Sequence, residues 1–266
     1  MHEQYIDANQ KAWSLLARDH YLHYRKRLAE PDYALNPLAR QDLGEVAGKS
    51  ILHLQCNTGA DSILLTRLGA TVTGVDLVPE NIHYARLLAE EYAPEKASFI
   101  VSDILRLKEN LSGRFDLVLT TDGVIGWIPD LPAWADVIAH FLKEDGCFFL
   151  HDAHPFYLVF DEEALGEGRL IPRYSYFAGD PDVDPFIGGY AGEAARADNY
   201  YWNHTLGSII NALAAQNLYV TSLREYDRCV QGMGGKETDP QGLSYHAWLE
   251  GRLPITYSLR AEYRHR

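Results

Sequence analysis

The segment Ile51–Asp76, which reads ILHLQCNTGADSILLTRLGATVTGVD, constrains the fold more than any other part of the chain. Ile51–Leu54 is a short apolar run typical of a buried strand, and Gln55–Gly59 is a turn of small and polar residues. Ser62–Leu68 has apolar residues at helical spacing, and Thr71–Asp76 is a β-branched run that ends in an acid. A strand, tight loop, helix, strand and terminal acid form the ribonucleoside-binding half of a doubly wound α/β fold.

Three later apolar runs predict further strands of the same sheet, at Ala97–Val101, Phe115–Leu119 and Cys147–Leu150. Near-continuous apolar runs are typical of a parallel sheet that helices cover on both faces. The carboxyl ends of parallel strands meet at one edge, where open α/β sheets bind ligands. The polar residues at these predicted strand ends are Gln55, Asn57, Asp76, Asp103, Thr121, Asp122, His151 and His154.

The Ile51–Asp76 segment resembles motifs I and II of class I S-adenosylmethionine-dependent methyltransferases. The family's loop reads acid-x-Gly-x-Gly-x-Gly, and the matching positions here are His53, Gln55, Asn57 and Gly59, so only the last glycine is kept. Asn57 can still adopt a left-handed backbone conformation at modest cost. The loop is more similar to that of a subset of methyltransferase-like sequences with an HLQC-type motif.

This resemblance implies an α/β fold with a doubly wound, Rossmann-like seven-stranded sheet, six strands being parallel and one antiparallel. The last two predicted strands, Leu218–Tyr226 and Ile255–Tyr263, fit such a hairpin-like order. We predict a single methyltransferase domain over 1–266. Its parts are N-terminal lid helices (1–36), a core (37–155 and 204–266) and an inserted, β-rich substrate cap (156–203).

The same resemblance implies S-adenosyl-L-methionine as the cofactor. Asp76 is expected to accept hydrogen bonds from the ribose hydroxyls and Asp103 one from the adenine amino group, while Ile104 stacks on the ring. Asp103 has the alternative role of capping the following turn, and Asp122 either orients the cofactor's ammonium or caps its own loop. The predicted cofactor-binding residues are Gln55, Asn57, Thr58, Gly59, Asp76, Leu77, Asp103, Ile104, Thr121 and Asp122.

Aromatic residues outside the strands are candidates for the acceptor pocket. Trp13 lies in a predicted N-terminal helix that is capped by Asp7 or Asn9 and runs to about Tyr24, and Trp127 follows the fourth strand. Each tryptophan is either a wall of the site or a core residue that buries its own helix. The predicted substrate-binding residues are Trp13, Trp127, His151, Tyr200 and Trp202.

Histidine suits the removal of a proton from a hydroxyl or amine acceptor, because its ordinary pKa is near neutral. His154 follows the fifth strand and His204 begins the helix after the cap, so both are predicted catalytic residues, with a structural or substrate-contacting role as the alternative. His151, Asp152 and His154 also suggest metal ligands. Residues i and i+3 of an extended segment point to opposite faces, and no second cluster supplies the remaining ligand unless His204 does, so no metal is predicted.

Composition limits the partners. The chain of 266 residues carries 24 basic and 37 acidic side chains, and its formal net charge of −13 repels nucleic-acid phosphates and anionic membranes. Its 3 cysteines lack metal-ligand spacing, and the sequence contains no apolar stretch like that of a signal peptide or a membrane span. We expect a cytoplasmic protein with a small-molecule partner, no nucleic acid and no membrane; the sequence allows a homodimer without requiring one.

Together these features predict an S-adenosylmethionine-dependent methyltransferase that transfers a methyl group to an oxygen or nitrogen of a small-molecule acceptor. Two alternatives stay open. The missing glycines also fit a protein that binds S-adenosylmethionine or S-adenosylhomocysteine without catalysis. Asp76 alone would also suit the ribose of a nicotinamide-dependent oxidoreductase, although the loop lacks the G-x-G-x-x-G pattern that binds a pyrophosphate.

Overall fold

The computed structural model describes residues 2–177, 179–188 and 190–264, so the predicted domain ends, Met1 and Arg266, lie outside it. The elements of the first part are α1 (Glu3–Ser14), α2 (Ala17–Leu28), α3 (Pro37–Leu43), β1 (Ser50–Leu54), α4 (Ala60–Arg67), β2 (Thr71–Asp76), α5 (Pro79–Tyr92), β3 (Ala97–Val101), β4 (Phe115–Thr121), α6 (Leu131–Phe141) and β5 (Leu142–Ala153). Those that follow are α7 (Glu162–Gly166), β6 (Asp182–Ile187), β7 (Ala195–Tyr201), α8 (Leu206–Ala215), β8 (Leu218–Tyr226), β9 (Glu237–Thr238), β10 (Ser244–Tyr245) and β11 (Thr256–Tyr263).

Within the described residues, seven strands form the central sheet in the order β3-β2-β1-β4-β5-β11-β8. The first five strands of the chain pair in parallel, and β11 runs antiparallel between β5 and β8. The predicted doubly wound sheet with one antiparallel strand is therefore confirmed. The strand order reverses between β1 and β4, and such a switch point leaves a crevice at the carboxyl ends of the strands.

The sheet is buried on both faces because successive residues of its central strands point to opposite sides. In β5, Phe148 and Leu150 pack in one core with α6 and α8, whereas Cys147 and Phe149 pack in another with α3 and α4. Trp134 of α6 is fully buried against Phe148, with ring centroids 5.3 Å apart. This packing explains why the strands read as uninterrupted apolar runs.

The N-terminal region differs from the single helix that we predicted. It forms α1 and α2, which are separated at Leu15 and Leu16. Asn9, one of the two predicted caps, lies buried in the middle of α1. Its side chain donates to Tyr200 O at 2.9 Å and accepts from Tyr200 N at 2.7 Å, so it pairs with the cap as a neighbouring strand would.

The inserted segment is β-rich only in its second half, where β6 and β7 form an antiparallel hairpin. The first half contains the short helix α7. A small separate core joins this half to the loops after β8, through Tyr157, Leu165, Leu249 and Leu253. Across the described ranges, no helix combines the length and apolar character needed to cross a bilayer.

Asn9→Ala should release α1 from the cap hairpin. We expect the free energy of unfolding to fall by about 1–3 kcal/mol, because two backbone groups of Tyr200 lose a buried partner. Urea unfolding followed by circular dichroism measures this change. Ser14→Ala, which removes an exposed hydroxyl from the same helix, is the matched control. Equal stability of the two variants would contradict this role of Asn9 in joining α1 to the cap hairpin.

Candidate active site

A cavity of about 710 Å³ lies at the carboxyl edge of the sheet. The loops after β1, β2, β3 and β4 form one side of it, and residues of α1, α2 and the cap hairpin form the other. The predicted site residues that line it are Trp13, Gln55, Asn57, Thr58, Asp76, Leu77, Asp103, Ile104, Thr121, Asp122 and Trp127.

The loop after β1 turns tightly although it keeps only one glycine of the family pattern. Gln55, Asn57 and Gly59 all have positive φ, at 55°, 50° and 79°. Side chains stabilise the two non-glycine positions: Gln55 Nε2 donates to a backbone carbonyl of the loop after β4 at 2.9 Å, and Asn57 Oδ1 accepts from Thr58 N at 2.6 Å. Gly59 does not line the cavity; a Cβ there would lie 2.7 Å from the Phe99 ring, so packing requires the glycine.

Asp76 lies at the end of β2 with its carboxylate fixed by three donors. These are Asn57 N at 2.9 Å, Val78 N at 2.9 Å and Asn81 Nδ2 at 3.1 Å. Burial raises the pKa of Asp76, and these hydrogen bonds oppose the rise. A carboxylate has about four acceptor positions, so one stays available. Asn81 Oδ1, in the same wall, is buried without a hydrogen-bond partner among the described residues, and it supplies a second acceptor.

Asp103 and Ile104 follow β3 and line the cavity. Asp103 Oδ1 accepts from Leu105 N at 3.0 Å, so this carboxylate does cap the turn Ile104–Glu109. Burial raises the pKa of Asp103. The second carboxylate oxygen has no hydrogen bond to any described residue, so capping leaves one oxygen for a ligand.

Two further carboxylates line the part of the cavity at the carboxyl edge of the sheet: Asp61 at the start of α4 and Asp122 after β4. Asp61 accepts from Thr121 Oγ1 at 3.4 Å, and Asp122 accepts from Asn36 Nδ2 at 2.9 Å. Burial raises the pKa of both, and the charge of Asp61 raises that of Asp122 further. His151 Nε2 lies 3.9 Å from Asp122 Oδ1, but burial lowers the histidine pKa to about 4, so it is neutral. A pair of carboxylates in this setting favours a cationic ligand group.

Three aromatic rings form a continuous wall of the cavity. Trp13 of α1 meets Trp127 edge to face at 5.3 Å, and Trp127 meets Tyr201 edge to face at 5.2 Å. Trp127 Nε1 donates to Gly123 O at 2.8 Å, which fixes the indole. Both tryptophans therefore serve as walls of the cavity, while they also bury their own segments.

Three predicted histidines lie outside the cavity lining, which corrects the roles assigned to them. His154 Nε2 is hydrogen-bonded to Glu225 at 2.9 Å, and His204 Nε2 donates to a backbone carbonyl before α6 at 2.7 Å. His151 Nδ1 is hydrogen-bonded to a serine of β11 at 2.9 Å. Burial lowers the pKa of each. Their rings join neighbouring elements of the fold, so we retain neither the catalytic role of His154 and His204 nor the substrate contact of His151.

Tyr200 and Trp202 also lie outside the lining, because they face α1. Their rings lie 4.7 and 5.8 Å from that of Tyr5. Successive side chains of a strand point to opposite sides. Tyr201, between them, lines the cavity instead. The prediction therefore selected the outward face of this segment.

Several polar cavity residues were not predicted, among them two at the carboxyl edge of the sheet, Asp61 and Asn81. Each lies in the first turn of the helix that follows a parallel strand, at the edge where ligands bind. That position is a signal readable in the sequence. Among the described residues, no group of three or more histidines, cysteines and acids is placed to hold a metal ion.

Residues 51–146 match the family model described as a methyltransferase domain. The chain is 33% identical over 153 residues to a ubiquinone biosynthesis O-methyltransferase of Xanthomonas oryzae pv. oryzae, an alignment that covers 54% of this chain and 62% of the relative. A Xylella fastidiosa protein of the same name is 30% identical over 150 residues, with 54% and 60% covered. The chain thus spans less than two thirds of the length of these curated relatives.

Solved structures share the fold at low sequence identity. A candidate S-adenosylmethionine-dependent methyltransferase from Listeria monocytogenes has a TM-score of 0.60 at 18% identity, covering 85% of this chain and 95% of its own. One from Mesorhizobium loti has a TM-score of 0.54 at 17% identity, with 85% and 96% covered. Residues 51–146 therefore match the methyltransferase-domain model, and the chain shares the α/β fold of these solved S-adenosylmethionine-dependent methyltransferases.

Proposed function

We propose that this chain is an S-adenosylmethionine-dependent methyltransferase acting on a small-molecule acceptor. The observation that carries the proposal is that Asp76, Asp103 and Asp122, from three strand ends, line one cavity that continues beneath the aromatic cap. Such a cavity offers adjoining places for a nucleoside and an acceptor. The matched domain family, and the relatives named as O-methyltransferases, support the same activity.

The nucleoside end of the cofactor fits the wall formed after β2 and β3. The available position on Asp76 and the unpartnered Oδ1 of Asn81 together provide two acceptors for the two ribose hydroxyls. The free carboxylate oxygen of Asp103 suits the adenine amino group, and Ile104 offers an apolar face to the ring. Unpartnered buried acceptors are costly, so this donor-poor wall favours a ligand that brings hydroxyl and amino donors.

The methionine end fits the loop after β1 and the carboxylate pair. Asp61 and Asp122 would hold the ammonium. The pair would thus take the role of the acid that the family pattern has at the position of His53. Thr58 Oγ1 is buried, unpartnered among the described residues and part of the lining, so it adds a hydroxyl for the same polar end.

S-adenosylmethionine supplies an electrophilic methyl group on a sulfonium and leaves as a neutral thioether, so the protein needs little acid–base chemistry. Its residues must orient the acceptor and exclude water. The rings of Trp13, Trp127 and Tyr201 would orient the acceptor and exclude water, because they form one continuous aromatic wall beside the loop after β4. The one histidine of the described lining, His53, is hydrogen-bonded to Ser62 and has a pKa lowered by burial to about 4, which makes it a poor base.

The part of the cavity that lies beneath the cap favours a methyltransferase over the two alternatives, a protein that only binds the cofactor and a nicotinamide-dependent oxidoreductase. A protein that only binds the cofactor has no need for an aromatic chamber next to it, and an oxidoreductase would need a phosphate-binding loop. A small-molecule acceptor, a cytoplasmic setting and the exclusion of nucleic acid stay part of the proposal. The net charge of −13 and the scattered basic residues support the exclusion of nucleic acid.

Asp76→Ala and Asn81→Ala should each weaken the binding of S-adenosylhomocysteine. We expect a loss of about 1–3 kcal/mol for Asp76 and a smaller loss for Asn81, because each removes an acceptor for a ribose hydroxyl. Titration calorimetry measures both values. Asp130→Ala, which removes a helix-capping carboxylate outside the cavity, is the matched control. Affinities equal to that of the control would count against the ribose site.

The binding of S-adenosylhomocysteine should release protons from Asp61 and Asp122. Their raised pKa values keep a proton on the pair near neutral pH, whereas an ammonium ligand favours the ionised pair, so affinity should rise with pH. Calorimetry in two buffers with different ionisation enthalpies measures the proton release.

Asp122→Asn should abolish this release and weaken binding about tenfold, which is about 1.4 kcal/mol. Asp182→Asn removes a cavity carboxylate of the cap hairpin and serves as the matched control, with the release unchanged. Binding of S-adenosylhomocysteine without proton release by the unaltered protein would rule out the pair as the ammonium site.

A further inference from the structure

Tyr201 occupies a space in the cavity wall that a glycine leaves for it. An ideal Cβ on Gly126 would lie 1.9 Å from Cζ and 2.4 Å from the hydroxyl oxygen of Tyr201. Gly126 does not have a left-handed backbone, so the approach of this ring, rather than the turn, requires the glycine. Trp202 N donates to Gly126 O at 2.7 Å, which attaches the end of β7 to the loop after β4.

The ring of Tyr201 is held on its other side as well. It meets Trp127 edge to face at 5.2 Å, and the Trp127 indole is itself fixed by the hydrogen bond to Gly123 O. Edge-to-face contacts of this kind have defined geometry and contribute beyond the area they bury. The phenol therefore has one orientation in the cavity wall.

The Tyr201 hydroxyl makes no hydrogen bond to any described residue. Three other tyrosines of the cavity differ: Tyr157 is hydrogen-bonded to His246 at 3.0 Å, and Tyr24 contacts the hydroxyl of Tyr190 at 3.5 Å. Burial, and then the charge of Asp152, raise the pKa of Tyr201, so its hydroxyl keeps the proton and acts as a donor. The hydroxyl is therefore a fixed, protonated donor in the cavity wall that is available to a ligand.

We propose that the Tyr201 hydroxyl donates a hydrogen bond to an oxygen atom of a flat, aromatic methyl acceptor and thereby selects oxygen over nitrogen as the methylated atom. The inference rests on the proposed methyltransferase function and adds the acceptor class and its determinant. The wall formed by Trp13, Trp127 and Tyr201 suits an aromatic acceptor.

The choice of oxygen follows from counting lone pairs. An acceptor oxygen that receives a hydrogen bond from Tyr201 still has a lone pair to attack the methyl carbon. The nitrogen of an aromatic amine has one lone pair, and the same hydrogen bond would occupy it. A phenolic acceptor releases its proton to bulk water as it enters the site, before the rings enclose it. The new O–C bond then forms as the C–S bond breaks, and the electron pair of that bond stays on sulfur.

The test uses the full chain and two matched probes, naphthalene-2,3-diol and naphthalene-2,3-diamine. With S-adenosylmethionine, the diol should be methylated at least about tenfold faster than the diamine, and Tyr201→Phe, which keeps the ring and removes the hydroxyl, should reduce this ratio about tenfold. Titration calorimetry of the S-adenosylhomocysteine complex should show Tyr201→Phe weakening diol binding about tenfold while S-adenosylhomocysteine binding is unchanged. Tyr200→Phe removes a hydroxyl from the outward face of the same strand and should change none of these affinities.

Gly126→Ala provides a second variant that leaves the hydroxyl in place. Its Cβ must displace the Tyr201 ring, so it should reduce the preference for the diol as Tyr201→Phe does. An unchanged diol-to-diamine ratio in Tyr201→Phe, or no diol binding to the S-adenosylhomocysteine complex, would overturn the inference while the proposed function stands. Failure of the unaltered protein to bind S-adenosylhomocysteine would overturn both.

Discussion

One buried carboxylate, Asp152, organises the loop on which both ends of the cavity depend. It is fully buried, and a carboxylate tolerates that position only when donors replace water. Its oxygens accept, at distances between 2.7 and 3.0 Å, from the backbone N–H groups of Gly123, Val124, Ile125 and Ala153. This loop begins with Asp122, one acid of the carboxylate pair, and ends with Trp127, whose indole is part of the aromatic wall. Asp152, which the sequence also suggested as a metal ligand, thus has a structural role in which backbone donors take the place of a cation.

The sheet could be predicted from the sequence because burial on both faces leaves a continuous apolar signal in each strand. The limits of β2 and β3 agree with the predicted Thr71–Asp76 and Ala97–Val101. The cap could not be divided in the same way, because its aromatic and acidic residues follow neither helical nor strand periodicity. The break between α1 and α2 was also hidden, since Leu15 and Leu16 continue the helical pattern and no glycine or proline marks it.

A site residue could be predicted where the topology of the sheet alone positions it. It could not be predicted where the orientation of its side chain determines whether it lines the cavity. Asp76 and Asp103 line the cavity because they end parallel strands. His154 and His204 were selected for their chemistry, and each ring turns to a partner within the fold. Tyr201 was missed in favour of its neighbours, since alternation along a strand fixes which residues share a face but not which face is inward.

The glycine-poor loop after β1 also changes what the N-terminal lid does. The side-chain amide of Asn57 lies 3.1 Å from His20 Nδ1 of α2, and Gln10 of α1 donates to Leu77 O at 2.8 Å. Both contacts connect the lid to loops at the cofactor end, and the first of them requires a side chain where the family pattern has a glycine. Asn9 connects the same lid to the cap hairpin. One pair of helices therefore contacts both the cofactor end and the acceptor end of the cavity.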